Sequence, residues 1–239
     1  MSTNHEHEPR TRVIIFDIET TGFYPDKGDR VIEIGAVEII DGRITDNTFH
    51  AYVNPMGKII PPDSYMVHKL SNEFLSDKPS FKDVAPRMME FIGDAPIVVA
   101  HNGYDFDFPF INYELKQLGL AEIPRTRQGD SLAIARNKVA GPKNYTLDSL
   151  AKWFGVDIST RADSHGALID ARILAKVYLE LMAADTPDTV QDIVKKQHDA
   201  FLAMPKSDGS FPVREWKPSA QEAEIHKEFI NKNIKDSAW

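Results

Sequence analysis

The sequence predicts an α/β fold: a mixed sheet flanked by helices, then a linker and a short helical tail. Three observations point there. Strand-like apolar segments follow one another at 12–18, 31–40 and 44–54, with a two-residue turn signal between the last two. Segments of helical periodicity then alternate with one further short apolar run. Beyond Met182 the pattern gives way to a stretch holding Pro187, Pro205, Gly209 and Pro212.

Residues 1–11 are polar and read as a mobile N-terminus. Val13-Ile14-Ile15-Phe16 reads as a buried strand, and "VIEIGAVEII" (31–40) and "ITDNTFHAYVN" (44–54) extend it into a meander. Asp41-Gly42 supplies the positive backbone angles of a tight hairpin turn. "FKDVAPRMMEFIG" (81–93) has helical spacing and closes at Gly93, with Pro86 counting against its regularity. "APIVVAHN" (95–102) is a short buried strand. "FPFINYELKQLG" (108–119) is a helix closed by Gly119, and "TLDSLAKWFG" (146–155) another, with Thr146 as its cap. The longest helix is "GALIDARILAKVYLELM" (166–182). Projected at 100° per residue, Arg172, Lys176 and Glu180 form its wet face, while Leu168, Ala171, Leu174, Ala175, Tyr178, Leu179, Leu181 and Met182 fill the other side. One domain is expected over 12–183, a linker over 184–212 and a separate segment over 213–239.

Composition narrows the class of protein. With 239 residues, 42% of them hydrophobic, the chain has material for one good core and an appendage. It holds no cysteine, which removes disulfides and thiolate metal sites. "MSTNHEHEPR" lacks the apolar stretch of a signal peptide, and no segment approaches transmembrane length, so a soluble cytoplasmic protein with no membrane partner is expected. The formal charge of −8 is unlike that of a protein that coats a duplex. A nucleic-acid ligand would have to be held locally, by one end, or be delivered by a partner.

The charges that matter are those out of place. Asp17 and Glu19 follow the apolar strand two residues apart, so both side chains point to one face. Two neighbouring anions near a core repel each other and resist desolvation, which calls for a cation between them. Asp170 falls within the apolar side of the longest helix, where it needs a buried arginine, a capping role or the same cation. Asp105 and Asp107 stand where a strand gives way to a helix, a place that also suits a simple N-cap. His165 precedes Asp170 by five residues, at the end where that helix enters the sheet. A lone histidine is more often structural than catalytic, but its place beside a buried carboxylate keeps it as a candidate.

Taken together these segments resemble the DEDDh family of 3′→5′ exonucleases. The first family motif matches Asp17-Ile18-Glu19-Thr20-Thr21-Gly22, the second His101-Asn102 with Phe106-Asp107, the third His165 with Asp170. Order and intervals match over residues 12–182. Within the family, "VHKLSNEFLSDKPSF", "DSLAIAR" and "HGALIDARILAKVYLELM" are most similar to the proofreading (epsilon) group of bacterial DNA polymerase III. The resemblance implies a ribonuclease-H-like sheet and two divalent cations, Mg²⁺ or Mn²⁺, about 3.5–4 Å apart. It implies Asp17 as a ligand shared by both ions, Glu19 and Asp170 beside it on one, and Asp107 on the other. It makes His165 the general base and assigns contacts with the substrate to Thr20, Thr21, Phe23, His68, His101 and Asn102. For His68 a plain surface position, and for Asn102 a turn cap, fit as well. The implied reaction removes nucleoside 5′-monophosphates from single-stranded or mispaired DNA 3′ ends.

Two other readings share these residues. One is a free-standing exoribonuclease or single-strand DNA exonuclease; the other is a binding module with a vestigial metal site, which the presence of all five candidate residues argues against. The tail separates the proofreading reading from the free-standing one. Ser219 and Glu222 have capping-box spacing, and Ala223, Ile225, Phe229, Ile230 and Ile234 gather on one half of the helix that would follow. Such a short helix needs a surface, either its own domain or, as the resemblance implies, the polymerase catalytic subunit. "QHDAFLAM" (197–204) offers a sliding-clamp contact near Gln197 and Phe201, or simply an amphipathic linker helix.

Overall fold

The sheet has five strands in the order β3-β2-β1-β4-β5. The structure, a computed structural model, describes residues 11–161 and 166–184. His165, the linker and the tail, with the capping box and the clamp candidate, lie outside the described residues. In chain order the elements are β1 (Arg12–Thr20), β2 (Val31–Ile40), β3 (Arg43–Tyr52), α1 (Pro62–His68), α2 (Asn72–Leu75), α3 (Phe81–Ile92), β4 (Ile97–Ala100), α4 (Asp107–Gln117), β5 (Gln128–Asp130), α5 (Ser131–Lys138), α6 (Leu147–Trp153) and α7 (Ala167–Ala183). No helix among the described residues is long and apolar enough to cross a membrane.

β1, β2 and β3 form the expected antiparallel meander, turned between β2 and β3 by Asp41 and Gly42 at φ 50° and 73°. β4 and β5 add parallel to β1. The carboxyl ends of β1, β4 and β5 therefore lie along one edge, where open α/β sheets leave a crevice for ligands.

Alternation along β1 divides the core into two layers. Ile14, Phe16 and Ile18 pack with α3 and α4, including Phe81, Met88, Phe108 and Ile111. Val13 and Ile15 face α5, α6 and α7, including Ala135, Leu150, Leu174 and Val177. Asp17 and Glu19 continue the second set, so they point into the α7 layer. On α7 itself Arg172, Lys176 and Glu180 are exposed as projected, but Met182 is 40% exposed rather than buried, one residue before the helix ends.

The caps hold where the local chemistry is strong. Thr146 Oγ1 accepts from the Ser149 N–H at 3.3 Å, and Gly93 and Gly119 leave their helices at positive φ. Pro86 does not break α3: it sits on the exposed side, where the carbonyl it leaves without a donor faces water.

β2 carries a glycine for a steric reason. Gly35 stands opposite Asp17 in the β1–β2 ladder. A Cβ there would meet the backbone of α7 at 2.2 Å from Leu168 N and 2.3 Å from Ala167 C. Only a residue without a side chain lets the first turn of α7 rest on the sheet beside Asp17. We expect Gly35→Ala to lower stability by about 2–3 kcal/mol, because the clash is with backbone. Urea unfolding measures it as a shifted midpoint at unchanged slope; a loss below about 0.5 kcal/mol would show that α7 is not seated on this residue.

Candidate metal centre

β1 delivers Asp17 and Glu19 to the α7 face, and the contact at Gly35 brings in the first turn of α7 with Asp170. Oxygens of Asp17, Glu19 and Asp170 lie within 4.8 Å of one another. Asp107 comes from the opposite layer. As the first residue of α4 it reaches over the end of β1, and its carboxylate accepts a hydrogen bond from the Ile18 backbone. It is 3% exposed, whereas Asp105 is exposed on the outside of the same turn.

The electrostatics show the strain of the arrangement. Burial first, then the charges of Asp107, Asp170 and Glu19, push Asp17 well above the usual carboxylate range; Arg161 opposes them. Burial, Asp170 and Glu33 push Glu19 up to about 8, again against Arg161. Burial also pushes Asp107 up to about 8, helped by Asp130 and resisted by the backbone N–H groups of Asp107 and Ile18. All the donors are hard oxygens, they converge, and their mutual repulsion is the kind a divalent cation relieves. The residues present therefore fit such an ion.

Arg161 is one of three residues that sequence reasoning did not single out. Its guanidinium donates to Asp170 at 2.8 Å and contacts Asp148 on α6, so it ties α6 to α7 through a residue of the cluster. The buried arginine partner considered for Asp170 thus exists, together with the carboxylate cluster rather than instead of it. Asp130 is the second. It accepts from Asn102 N (3.1 Å), Tyr104 N (3.2 Å), Leu132 N (2.8 Å) and Ala133 N (3.4 Å), capping α5 and fastening the turn that leads to Asp107. Asp before Ser131 at a helix start was a readable cap signal. Glu33 is the third: it faces Glu19 across the ladder, is 3% exposed and bonds His50 at 2.7 Å. Neither Arg161 nor Glu33 had a signal in spacing alone.

The other sequence-derived candidates surround this cluster. Thr21 is fully buried; its N–H donates to Arg30 O at 2.9 Å and its carbonyl accepts from Ser64 Oγ at 3.2 Å, so both backbone groups are engaged internally. Thr20 Oγ1 donates to Gly22 O. Phe23 is 74% exposed, its ring 6.2 Å from that of Phe106. His68 is not at the surface: it is 3% exposed, Nδ1 accepts from Leu70 N at 3.0 Å, and Nε2 has no partner among the described residues. Burial lowers its pKa. His101 is held by Ser131 Oγ at 2.9 Å and by the Tyr145 backbone, with burial again lowering its pKa. Asn102 takes φ 60° and its carbonyl caps the following turn, accepting from Asp105 N and Phe106 N.

A five-stranded mixed sheet flanked by helices, with acidic residues converging at the end of its central strand, matches the fold of solved exonucleases. The exonuclease family model matches residues 14–178. Similar proteins include DNA polymerase III subunit epsilon of Rickettsia typhi, 39% identical over 232 residues, covering 92% of this chain and 96% of that one. The same subunit of Escherichia coli is 42% identical over 184 residues, 74% of this chain and 73% of that one. Among solved structures, exonuclease X in complex with 5′ overhanging duplex DNA is 28% identical with a TM-score of 0.57, covering 72% of this chain and 91% of that one. The chain belongs to the exonuclease family and, within it, to the branch of the DNA polymerase III epsilon subunits.

The raised carboxylates give a test with a definite sign. Glu19 and Asp107 titrate near 8 in the folded chain and near about 4 when unfolded. Between those values the folded chain binds more protons, so metal-free stability falls as pH rises and levels off above about 8. His68 and His101, kept neutral by burial, act oppositely below about pH 6.5, which leaves the range above it to the carboxylates. In chelator we expect the melting temperature to fall by roughly 5 °C from about pH 6.5 to about pH 8.5. Added Mn²⁺ should abolish the fall. A flat profile in chelator would mean that the carboxylates are compensated without metal.

Proposed function

We propose that this chain is the 3′→5′ proofreading exonuclease of a replicative polymerase, removing nucleotides one at a time from single-stranded or mispaired DNA 3′ ends in the cytoplasm. The observation that carries this reading is the convergence of Asp17, Glu19, Asp170 and Asp107 from three elements at one strand end. The chain also matches an epsilon subunit over 92% of its length.

Asp17, Glu19 and Asp170 would hold one divalent ion, and Asp17 with Asp107 a second; Mg²⁺ or Mn²⁺ suits an all-oxygen donor set. When bound, such a pair supplies charge neutralisation and Lewis-acid polarisation at the scissile phosphate. The remaining work falls to side chains. His165 takes the proton from the attacking water, a task suited to an imidazole near neutral pH. The 3′-oxygen of the shortened strand leaves, and the terminal nucleotide departs as a 5′-monophosphate. Arg161 holds the Asp170 carboxylate in place, and Asp130 holds the turn that presents Asp107. Phe23, exposed at the rim and backed by Phe106, stacks on the terminal base without regard to its identity, as proofreading requires.

Replacing Asp17, Glu19, Asp107 or Asp170 by Ala should each reduce hydrolysis of a mispaired primer by at least about a hundredfold. Asp105→Ala, on the exposed side of its turn, should be mild; the reverse pattern would reassign the second motif. His165→Ala should lose about 10²–10⁴-fold in rate yet keep its Mn²⁺ affinity by calorimetry, with partial recovery at high pH. Loss of Mn²⁺ binding in that variant would make His165 a ligand instead.

Residues 213–239 are the proposed contact with the polymerase catalytic subunit, joined to residues 12–183 by the linker, with Gln197–Phe201 as a candidate clamp contact. Tethering by the linker would raise the effective concentration of the nuclease at the primer end. A chain truncated after Ala184 should still degrade single strands but no longer co-purify with the polymerase subunit. A truncated chain that still forms the complex, or that fails to fold, would defeat this assignment.

A further inference from the structure

The cleft beside the carboxylate cluster extends well past it. Its volume is about 700 Å³, and besides Asp17 and Asp170 it is lined by residues of α5 and of the segment leading into α6, among them Arg136, Asn144 and Tyr145. That is room for a nucleotide unit beyond the atoms at the cluster. Two arginines line it. Arg161 is engaged with Asp148 and Asp170. Arg136 is exposed, and its side chain makes no hydrogen bond or ion pair with any described residue. A cation with no partner among the described residues, in a cleft whose other arginine is already taken up by two carboxylates, is matched to an anion from outside.

The wall that carries Arg136 is fixed on several sides. Asp130 caps α5 with two bonds to its first turn and two to the turn after β4. Ser131, on the same helix, bonds His101, which in turn meets the Tyr145 backbone across the cleft. His101 thus acts here as a strut between α5, β4 and the segment before α6. Arg136 stands one turn further along α5, so its guanidinium is presented by a rigid element.

We propose that Arg136 binds the phosphodiester backbone of the entering single strand, at a phosphate other than the one being cleaved. This rests on the nuclease reading above. Guanidinium groups suit this role because their planar fork meets two phosphate oxygens at once. The contact reads no base, which agrees with a nuclease that must accept any 3′ end. It also supplies part of the local grip that a chain of net charge −8 otherwise lacks.

The test uses the full chain and two kinds of measurement. Binding of fluorescein-labelled (dT)₈ is followed by anisotropy with Ca²⁺ in place of Mn²⁺, so that the cluster is neutralised and no turnover is needed. Hydrolysis of thymidine 5′-monophosphate p-nitrophenyl ester, which has a single phosphodiester and no upstream strand, is followed with Mn²⁺. For Arg136→Glu we expect (dT)₈ affinity to fall by about tenfold, and the slope of log affinity against log salt to lessen by about 0.7, one phosphate's worth. Arg136→Lys should restore most of the affinity. Hydrolysis of the small ester should stay within about twofold of the parent chain. Unchanged (dT)₈ binding overturns the proposal. So does a parallel loss on (dT)₈ and on the small ester, which would make Arg136 part of the reaction centre or of the fold. If the parent chain fails to hydrolyse the ester while Arg136→Glu still weakens (dT)₈ binding, the nuclease reading falls and the strand contact stands.

Discussion

Four carboxylates crowded at the end of one strand, all of them at least half-buried, cannot all readily carry charge, and the local structure is arranged around that constraint. Burial raises Asp17, Glu19 and Asp107, and repulsion within the cluster adds to it at Asp17 and Glu19. A cluster of this kind is unstable by itself: with no cation some of its members must hold protons, and each proton held is a ligand withheld. Arg161 relieves part of the repulsion, since it opposes the shifts of both Asp17 and Glu19 while bonded to Asp170. One arginine cannot balance four acids, so the site remains short of positive charge and suits a divalent ion.

Convergence of those acids depends on both layers of the core. β1 sends alternate residues to opposite faces, so Asp17 and Glu19 can meet only what the α7 layer brings. Asp170 arrives because Gly35 removes the one side chain that would keep α7 off the sheet. Asp107, from the α4 layer, must come around the end of the strand, and the turn that carries it is fastened by Asp130 on β5. A fault in the seating of α7 and a fault in the β5 anchor would therefore displace different carboxylates. The first separates Asp170 from Asp17 and Glu19; the second displaces Asp107.

What the sequence made legible follows from the same physics. β1, β2, β3, α3, α4, α6 and α7 carry strong periodicity or strong caps, and each occurs within a few residues of its expected place. β5 was illegible because its three residues, Gln128-Gly129-Asp130, have no apolar pattern; the strand exists through its pairing with β4. α1 opens at Pro61-Pro62 and α2 is four residues long, too short for a helical period to show. In the site, the carboxylates were visible because charge is conspicuous in apolar surroundings. Arg161 was not, since it stands nine residues from Asp170 in a polar stretch and acquires its role only when α6 and α7 pack. His68 shows the opposite failing. Its neighbours Met66, Val67 and Lys69 are exposed, and nothing in that pattern announces that His68 itself is buried.

The net charge and the metal requirement bear on one problem. A polyanion approaching an acidic cluster is repelled unless cations are present, and a chain at −8 adds to that repulsion over longer range. Divalent ions held at the cluster would reverse the sign of the field there. The contacts proposed for Arg136 and Phe23 would act only within a few ångströms. Under the function proposed above, attraction for a strand would then be concentrated at the site rather than spread over the surface. A chain of this charge, acting as the proofreading subunit proposed above, would rely on a partner to bring the primer end within reach.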